Sequence, residues 1–198
     1  MVDSYEPIRV LAFAGSLRED SYNRALIDAA VELAPGNMQI EFFDIQPVPA
    51  YNADLDNEDD RPEAVRHLKD AIAGADALLF ATPEYNYGIP GVLKNAIDWA
   101  SRPMGSTPMA GKVAAVMGAT TGMWGTVRAQ EDLRDILRAV NVYTVLKPEV
   151  LIANAREAFD DDLRLADEAA RGFLSQLLDN LAEETLRRRL GTGDAVTG

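Results

Sequence analysis

Cysteine is absent from this 198-residue sequence and histidine occurs once, at His67. The first absence removes thiol catalysis, disulfide scaffolding, iron–sulfur ligation and cysteine-based zinc sites; the second removes any centre built from several imidazoles. No metal site is expected. No segment approaches the roughly 18 continuous apolar residues that a membrane-spanning helix needs. The start, MVDSYEPIRV, carries acidic residues and a proline where a secretory signal needs a basic start and an apolar stretch. A cytoplasmic protein without membrane insertion is the expectation. Positive charge is scarce: 19 Lys and Arg against 32 Asp and Glu leave a net charge of −13. That balance repels nucleic acid and anionic lipid, and it obliges any site for a phosphorylated ligand to concentrate its donors locally.

What is present is alternation. Apolar runs RVLAFA at 9–14, QIEFFDI at 39–45, ALLFAT at 77–82, KVAAVMG at 112–118 and the less regular VYTVLKPEVLIA at 142–153 are separated by helical patterns. Those patterns span 21–34, 61–74, 90–101, 126–139 and about 161–190. The runs lack strict polar–apolar alternation, as parallel strands covered on both faces do, and strand–helix alternation predicts an α/β fold with helices on both sides of a parallel sheet. Boundary residues agree: Ser21 or Asp20 can cap the first helix, Pro35-Gly36 ends it, and Pro62 and Pro90 suit first helical turns. With 47% hydrophobic residues and no internal repeat, residues 1–198 are expected to form one domain, with its core over about 8–185 and a flexible tail over 191–198. The long irregular connection 45–60, IQPVPAYNADLDNEDD, is either a functional loop or a mobile one.

In an open parallel α/β sheet, ligands bind beyond the carboxyl ends of the strands, and the most unusual loops of this chain fall there. GSLREDSYN, 15–23, follows the first strand without either G-x-G-x-x-G or G-x-x-x-x-G-K-[ST]. Ser16, Ser21 and Asn23 supply neutral donors, Arg18 a bidentate cation, and the helix N-terminus its free N–H groups: a cradle for a phosphate monoester, or else a helix cap with solvated neighbours. PEYNYGIPG, 83–91, places stiffening prolines and two flat tyrosines after the third strand, so that main-chain groups face the edge of a planar ring, or it is a structural turn. ATTGMWGT, 119–126, follows the fourth strand, and its glycines allow close backbone approach to a ligand. A phosphate at the first loop and a planar ring between the other two describe a mononucleotide, with flavin favoured over adenine.

Three blocks, GSLREDSYNRAL at 15–26, PEYNYGIPGVLKNAIDWASRP at 83–103 and GATTGMWGTVRAQEDLR at 118–134, resemble the NADPH-dependent FMN reductases, which include bacterial quinone, chromate and azo-dye reductases. The resemblance covers nearly all of 8–185. It implies a flavodoxin-like three-layer sandwich with a five-stranded parallel sheet in the order 2-1-3-4-5. It also implies bound FMN, with NADPH or NADH as co-substrate. Hydride would pass through the flavin to a small-molecule electron acceptor: a quinone, azo compound, metal oxyanion or free flavin. By motif match, Ser16, Arg18, Ser21 and Asn23 would hold the FMN phosphate. Pro83, Glu84, Tyr85 and Asn86 would border the isoalloxazine, as would Thr120, Thr121 and Gly122. No side chain is expected to serve as a catalytic acid, base or nucleophile, because a flavin carries that chemistry.

Two departures stand out: Glu19 and Asp20 occupy positions where relatives often carry a basic or small pair, and Gly88 stands where many carry serine. The two carboxylates are expected to turn to solvent. Val92, Leu93, Ala96, Ile97, Trp99 and Ala100 spread around more of helix 90–101 than one core stripe requires, which together with family habit predicts a homodimer or a tetramer. His67 is expected on a solvated helix face, Trp99 in packing, Arg128 and Arg134 in ion pairs, and Trp124 either over the flavin edge or in ordinary packing. The alternative of a different class is a flavodoxin-type electron carrier, whose acidity would suit a basic redox partner. A ligand-sensing or purely structural module is the third.

Overall fold

The five apolar runs become strands because parallel pairing buries both of their faces. The computed structural model describes residues 6–103 and 105–193, with 191–193 described by backbone alone. Strands β1 (Ile8–Ala14), β2 (Met38–Phe42), β3 (Ala77–Ala81) and β4 (Val113–Ala119) pair in parallel in the order β2-β1-β3-β4. The fifth lane is shared by two short strands, β5 (Tyr143–Thr144) and β6 (Val150–Ile152), both parallel to β4. The run at 142–153 is irregular because it is not one strand: Pro148 in its middle has no N–H to give a ladder, and the chain leaves the sheet and rejoins it further along β4. The sheet is therefore the flavodoxin-like 2-1-3-4-5 arrangement.

Helices α1 (Tyr22–Leu33) and α6 (Glu168–Gly193) cover one face, and α2 (Glu63–Gly74), α3 (Gly91–Ala100) and α4 (Val127–Ala139) cover the other. Strand periodicity divides the core accordingly: Val10, Ala12, Ala115 and Met117 point to the first face, and Leu11, Phe13, Ala114 and Val116 to the second. A short helix, α5 (Ala155–Ala158), follows β6. The last helix starts later than the pattern at 161 suggests. The Asp160 carboxylate accepts the N–H groups of Asp162 and Arg164 at 3.0 and 2.8 Å, holding a turn, and Asp167 then caps α6 through the N–H of Ala170 at 2.9 Å. Of the tail expected over 191–198, the helix backbone takes in 191–193, and 194–198 lie outside the described residues.

The apolar spread on α3 has an explanation within the chain, and this removes it as a sign of subunit contact. Trp99 is fully buried and its indole N–H donates to the Pro49 carbonyl at 2.8 Å. Asn95 holds the same carbonyl at 2.8 Å and accepts the Tyr51 N–H at 2.8 Å, while the Tyr51 ring meets Trp99 edge-on at 4.9 Å. The long connection 45–62 is therefore clamped on the second face of α3. Its far end is fixed by Asp56, whose carboxylate pairs with Arg61 at 2.9 Å and with Lys69 at 3.5 Å. Burial pushes the Lys69 ammonium below its usual range, and the Asp56 charge opposes that shift.

Candidate active site

The loops after β1, β3 and β4 meet at the carboxyl edge of the sheet, and small residues let them do so. An added side-chain carbon on Gly15 would lie 3.0 Å from the Pro83 ring and 3.2 Å from the Pro90 ring, so both prolines of the second loop pack directly on the first. Gly118, at the end of β4, is tighter still: a Cβ there would collide with the Thr126 hydroxyl and the Thr82 carbonyl oxygen. No residue other than glycine fits where the third loop crosses back over its own strand.

In the first loop Ser16 is half-buried and Arg18 is exposed. The Arg18 guanidinium has no partner among the described residues, and neither do the main-chain N–H groups of Ser16, Leu17 and Glu19. Ser16 and Arg18 line a groove of about 160 Å³ with Arg24, Phe42, Asp44 and Gln46. Glu19 lines a different groove, between α1 and residues 162–165, shared with Ser21, Asp28, Glu32 and Asp162. Both Glu19 and Asp20 are exposed. Ser21 is buried and is the N-cap of α1, its hydroxyl accepting the Arg24 N–H at a long 3.4 Å.

Asn23 is tied to the end of β4. Its side-chain amide is buried and donates to the Ala119 carbonyl at 2.9 Å while accepting the Ala119 N–H at 3.0 Å. One amide N–H and the amide oxygen are thus engaged in joining α1 to the end of β4, which gives Asn23 a structural part whatever its second N–H meets.

The second loop is a tight hairpin. Tyr85 and Gly88 exchange main-chain hydrogen bonds at 3.0 and 3.1 Å, with Asn86 at φ 50° and Tyr87 at φ 69° between them. Positive φ at both central residues is the geometry of a two-residue hairpin turn; asparagine tolerates it well and tyrosine at some cost. The N–H groups of Glu84, Asn86 and Tyr87 meet no acceptor among the described residues, and the Tyr85 and Tyr87 rings are exposed. Pro83 is buried against Gly15, so its part is to shape the loop.

The Glu84 side chain turns toward α4. One carboxylate oxygen accepts the N–H groups of Arg128 and Ala129 at 3.0 and 3.3 Å, and the other accepts the Arg128 guanidinium at 3.1 Å. The carboxylate caps α4 from another loop, where the helix dipole favours an anion. Thr126, the residue before α4, lies at φ 64° and makes no cap of its own; its hydroxyl accepts from Gln130 at 3.1 Å. Arg128 therefore forms the ion pair its position suggested, and its guanidinium lies 4.4 Å from the Tyr87 ring and 5.1 Å from the Trp124 ring. Trp124 is exposed, neither buried in the core nor folded over a neighbour other than Arg128. Arg134 makes a different bond from the ion pair expected of it, donating to the Val145 carbonyl at 2.8 Å.

In the third loop the Thr120 main chain is engaged by the segment after β6: its N–H donates to the Ile152 carbonyl at 3.0 Å and its carbonyl accepts the Ala155 N–H at 2.9 Å. The Thr120 hydroxyl accepts the Gly122 N–H at 3.2 Å. Thr121 and Gly122 are exposed, and the Thr121 N–H has no acceptor among the described residues. His67, on α2, is exposed and 3.7 Å from Glu63. Among the described residues no helix is long and apolar enough to cross a membrane.

The arrangement is thus a row of unpaired donors at one strand end facing two loops with exposed aromatic rings. Residues 8–157 match the family model described as NADPH-dependent FMN reductase. An NAD(P)H-dependent FMN reductase of Pseudomonas aeruginosa is 49% identical over 176 residues, covering 89% of this chain and 94% of that one. A 2-hydroxy-1,4-benzoquinone reductase of a Burkholderia species is 39% identical over 92% of this chain and 99% of its own. Among solved structures, a flavoenzyme NAD(P)H:(acceptor) oxidoreductase of Paracoccus denitrificans superposes with a TM-score of 0.80 at 39% identity, over 89% of this chain and 98% of that one.

Proposed function

The chain belongs to the NADPH-dependent FMN reductase family, and from that premise we propose that it is an FMN-dependent NAD(P)H oxidoreductase that reduces a quinone or a comparably small, flat acceptor. The observation that carries this reading is the set of donors left without acceptors in the loop after β1. In a chain of net charge −13, an unpaired guanidinium beside the open N–H groups of Ser16, Leu17 and the first turn of α1 makes a concentrated anion seat. Ser16, Arg18 and that backbone hold the phosphate, with Ser21 fixing the start of α1. Glu19 lines a separate groove between α1 and residues 162–165, and the Asp44 carboxylate is the acidic group that borders the seat.

The open N–H groups of Glu84, Asn86, Tyr87 and Thr121 suit the polar edge of a ring lying between the second and third loops. When bound, FMN supplies the two-electron chemistry, so the chain needs no nucleophile or titrating base of its own. Tyr85 and Tyr87 offer flat walls to a second planar molecule, nicotinamide first and acceptor after it leaves. The exposed apolar side chains around this mouth, Tyr85, Tyr87, Met123 and Trp124, are where a second copy would dock in a homodimer. A cytoplasmic location, where reduced nicotinamide is at hand, suits this reading.

FMN-loaded protein mixed with NADPH in a stopped-flow instrument is expected to bleach rapidly and to recover colour when a quinone is added. Bound flavin that stays oxidised until a separate reductase is supplied would identify an electron carrier instead. Failure to take up FMN at all would remove both readings.

A further inference from the structure

We infer that Glu84 is a positioning residue that holds the second and third loops at the separation the flavin ring requires, by capping α4 from across the site. This rests on the FMN reading above. Thr126 leaves α4 without a side-chain cap, so its first N–H groups need an acceptor from elsewhere. Glu84, the residue directly before the Tyr85–Gly88 hairpin, provides it through one carboxylate oxygen, while the other accepts the Arg128 guanidinium. The carboxylate is only 13% exposed and its Arg128 partner 38%, so the pair is better shielded than an ordinary surface ion pair.

Helix α4 grips the hairpin at its other end as well. The Asp132 carboxylate, one turn further along the helix, accepts the Ile89 N–H at 3.2 Å. Both ends of the hairpin are thus bonded to one rigid helix, whose own start closes the third loop. Arg128 adds a third link, its planar group over Tyr87 of the second loop and Trp124 of the third. If Glu84 releases α4, the hairpin and the Thr120–Gly122 segment lose their fixed spacing, while Ser16 and Arg18 are untouched. A loss of this kind falls on the ring and spares the phosphate seat.

The test compares Glu84→Ala and Glu84→Gln with the unaltered chain. The glutamine amide oxygen can still accept the Arg128 and Ala129 N–H groups, although it forfeits the guanidinium. In the apo protein, amide exchange at Arg128 and Ala129 is expected to quicken in Glu84→Ala and to stay slow in Glu84→Gln. FMN affinity, read from quenching of flavin fluorescence, is expected to fall about tenfold in Glu84→Ala, the scale of a lost helix cap, and about threefold or less in Glu84→Gln. Inorganic phosphate should protect both variants against thermal unfolding as well as it protects the unaltered chain.

Unchanged FMN affinity in Glu84→Ala would overturn the inference, whether or not exchange quickens. So would a Glu84→Gln variant as weak as Glu84→Ala, or a parallel loss of phosphate binding. An unaltered chain that takes up no FMN would overturn the functional reading itself, a result visible before any variant is made.

Discussion

In the loop after β1, the Arg18 guanidinium and the N–H groups of Ser16 and Leu17 have no acceptor among the described residues. Across the same sheet edge, the Glu84 carboxylate is saturated by α4, and the Thr120 main chain by the segment after β6. The difference separates binding from building. Polar groups left open on a folded surface cost nothing while water solvates them, and they are available to a ligand. Polar groups engaged with one another fix the shape into which the ligand fits. Asn23 sits in the first loop by sequence and in the second class by structure, since both ends of its amide are bonded to Ala119. Substitutions on the interlocked side should therefore cost folding stability, and substitutions on the open side should cost affinity alone.

The largest effect is expected at Gly118. An alanine there drives a methyl group into the Thr126 hydroxyl and the Thr82 carbonyl, and one of the obstacles is backbone that cannot rotate away. Gly118→Ala should destabilise the fold by about 3 kcal/mol or more, the upper range for overpacking, as read from urea unfolding. A loss below about 1 kcal/mol would mean that the third loop yields, and that the interlock is softer than its geometry.

Asn23→Ala comes next. It leaves the Ala119 N–H and carbonyl without partners in a buried place, at a cost of about 2–3 kcal/mol in stability. If Asn23 were instead a direct phosphate ligand, unfolding of the apo protein would be barely altered and the whole loss would appear in FMN affinity.

Periodicity alone displays the layers of this fold. Each of the first four strands is an apolar run flanked by a helix pattern, and each lies within a residue or two of its expected place except β2, which stops at Phe42 where the chain turns toward the connection over α3. Partnerships between distant residues are not displayed in that way. Asn23 meets Ala119 96 positions away, and Glu84 meets Arg128 44 positions away. No local pattern distinguishes an asparagine that binds phosphate from one that bridges two elements. The same reason hid what lies against α3: its second apolar face is real, and residues 49–51 of the same chain pack on Asn95 and Trp99 there. The carboxylate pair of the first loop shows the converse. Glu19 and Asp20 are both exposed, as charge alone leads one to expect of carboxylates in a donor-rich loop of so acidic a chain.

On the open side, Arg18→Ala should weaken FMN binding by about 2 kcal/mol, the scale of a charge-assisted hydrogen bond. The midpoint of unfolding without ligand should not move, because the guanidinium touches nothing that the fold depends on. A fall in apo stability matching the fall in affinity would place Arg18 with the interlocked residues and erase the distinction between the two loops.

The finest test lies at Gly88, in the hairpin that α4 holds. This glycine is not at positive φ, so a side chain is allowed, and the first carbon it adds would stand 3.2 Å from the Asp132 carboxylate. That contact is close, but Asp132 is exposed and free to shift by a few tenths of an ångström. The new hydroxyl would then donate to a carboxylate that already accepts the Ile89 N–H. Gly88→Ser is therefore expected to change stability by less than about 1 kcal/mol, in the stabilising direction, as one more link between the hairpin and α4. FMN affinity should rise slightly or stay level. Should the serine weaken FMN while the unfolding midpoint rises, the extra link would have pulled the hairpin away from the ring, and the separation set by α4 would be the quantity the flavin reads. Should it alter neither, the bonds from Glu84 and Asp132 already hold the hairpin as firmly as the site requires.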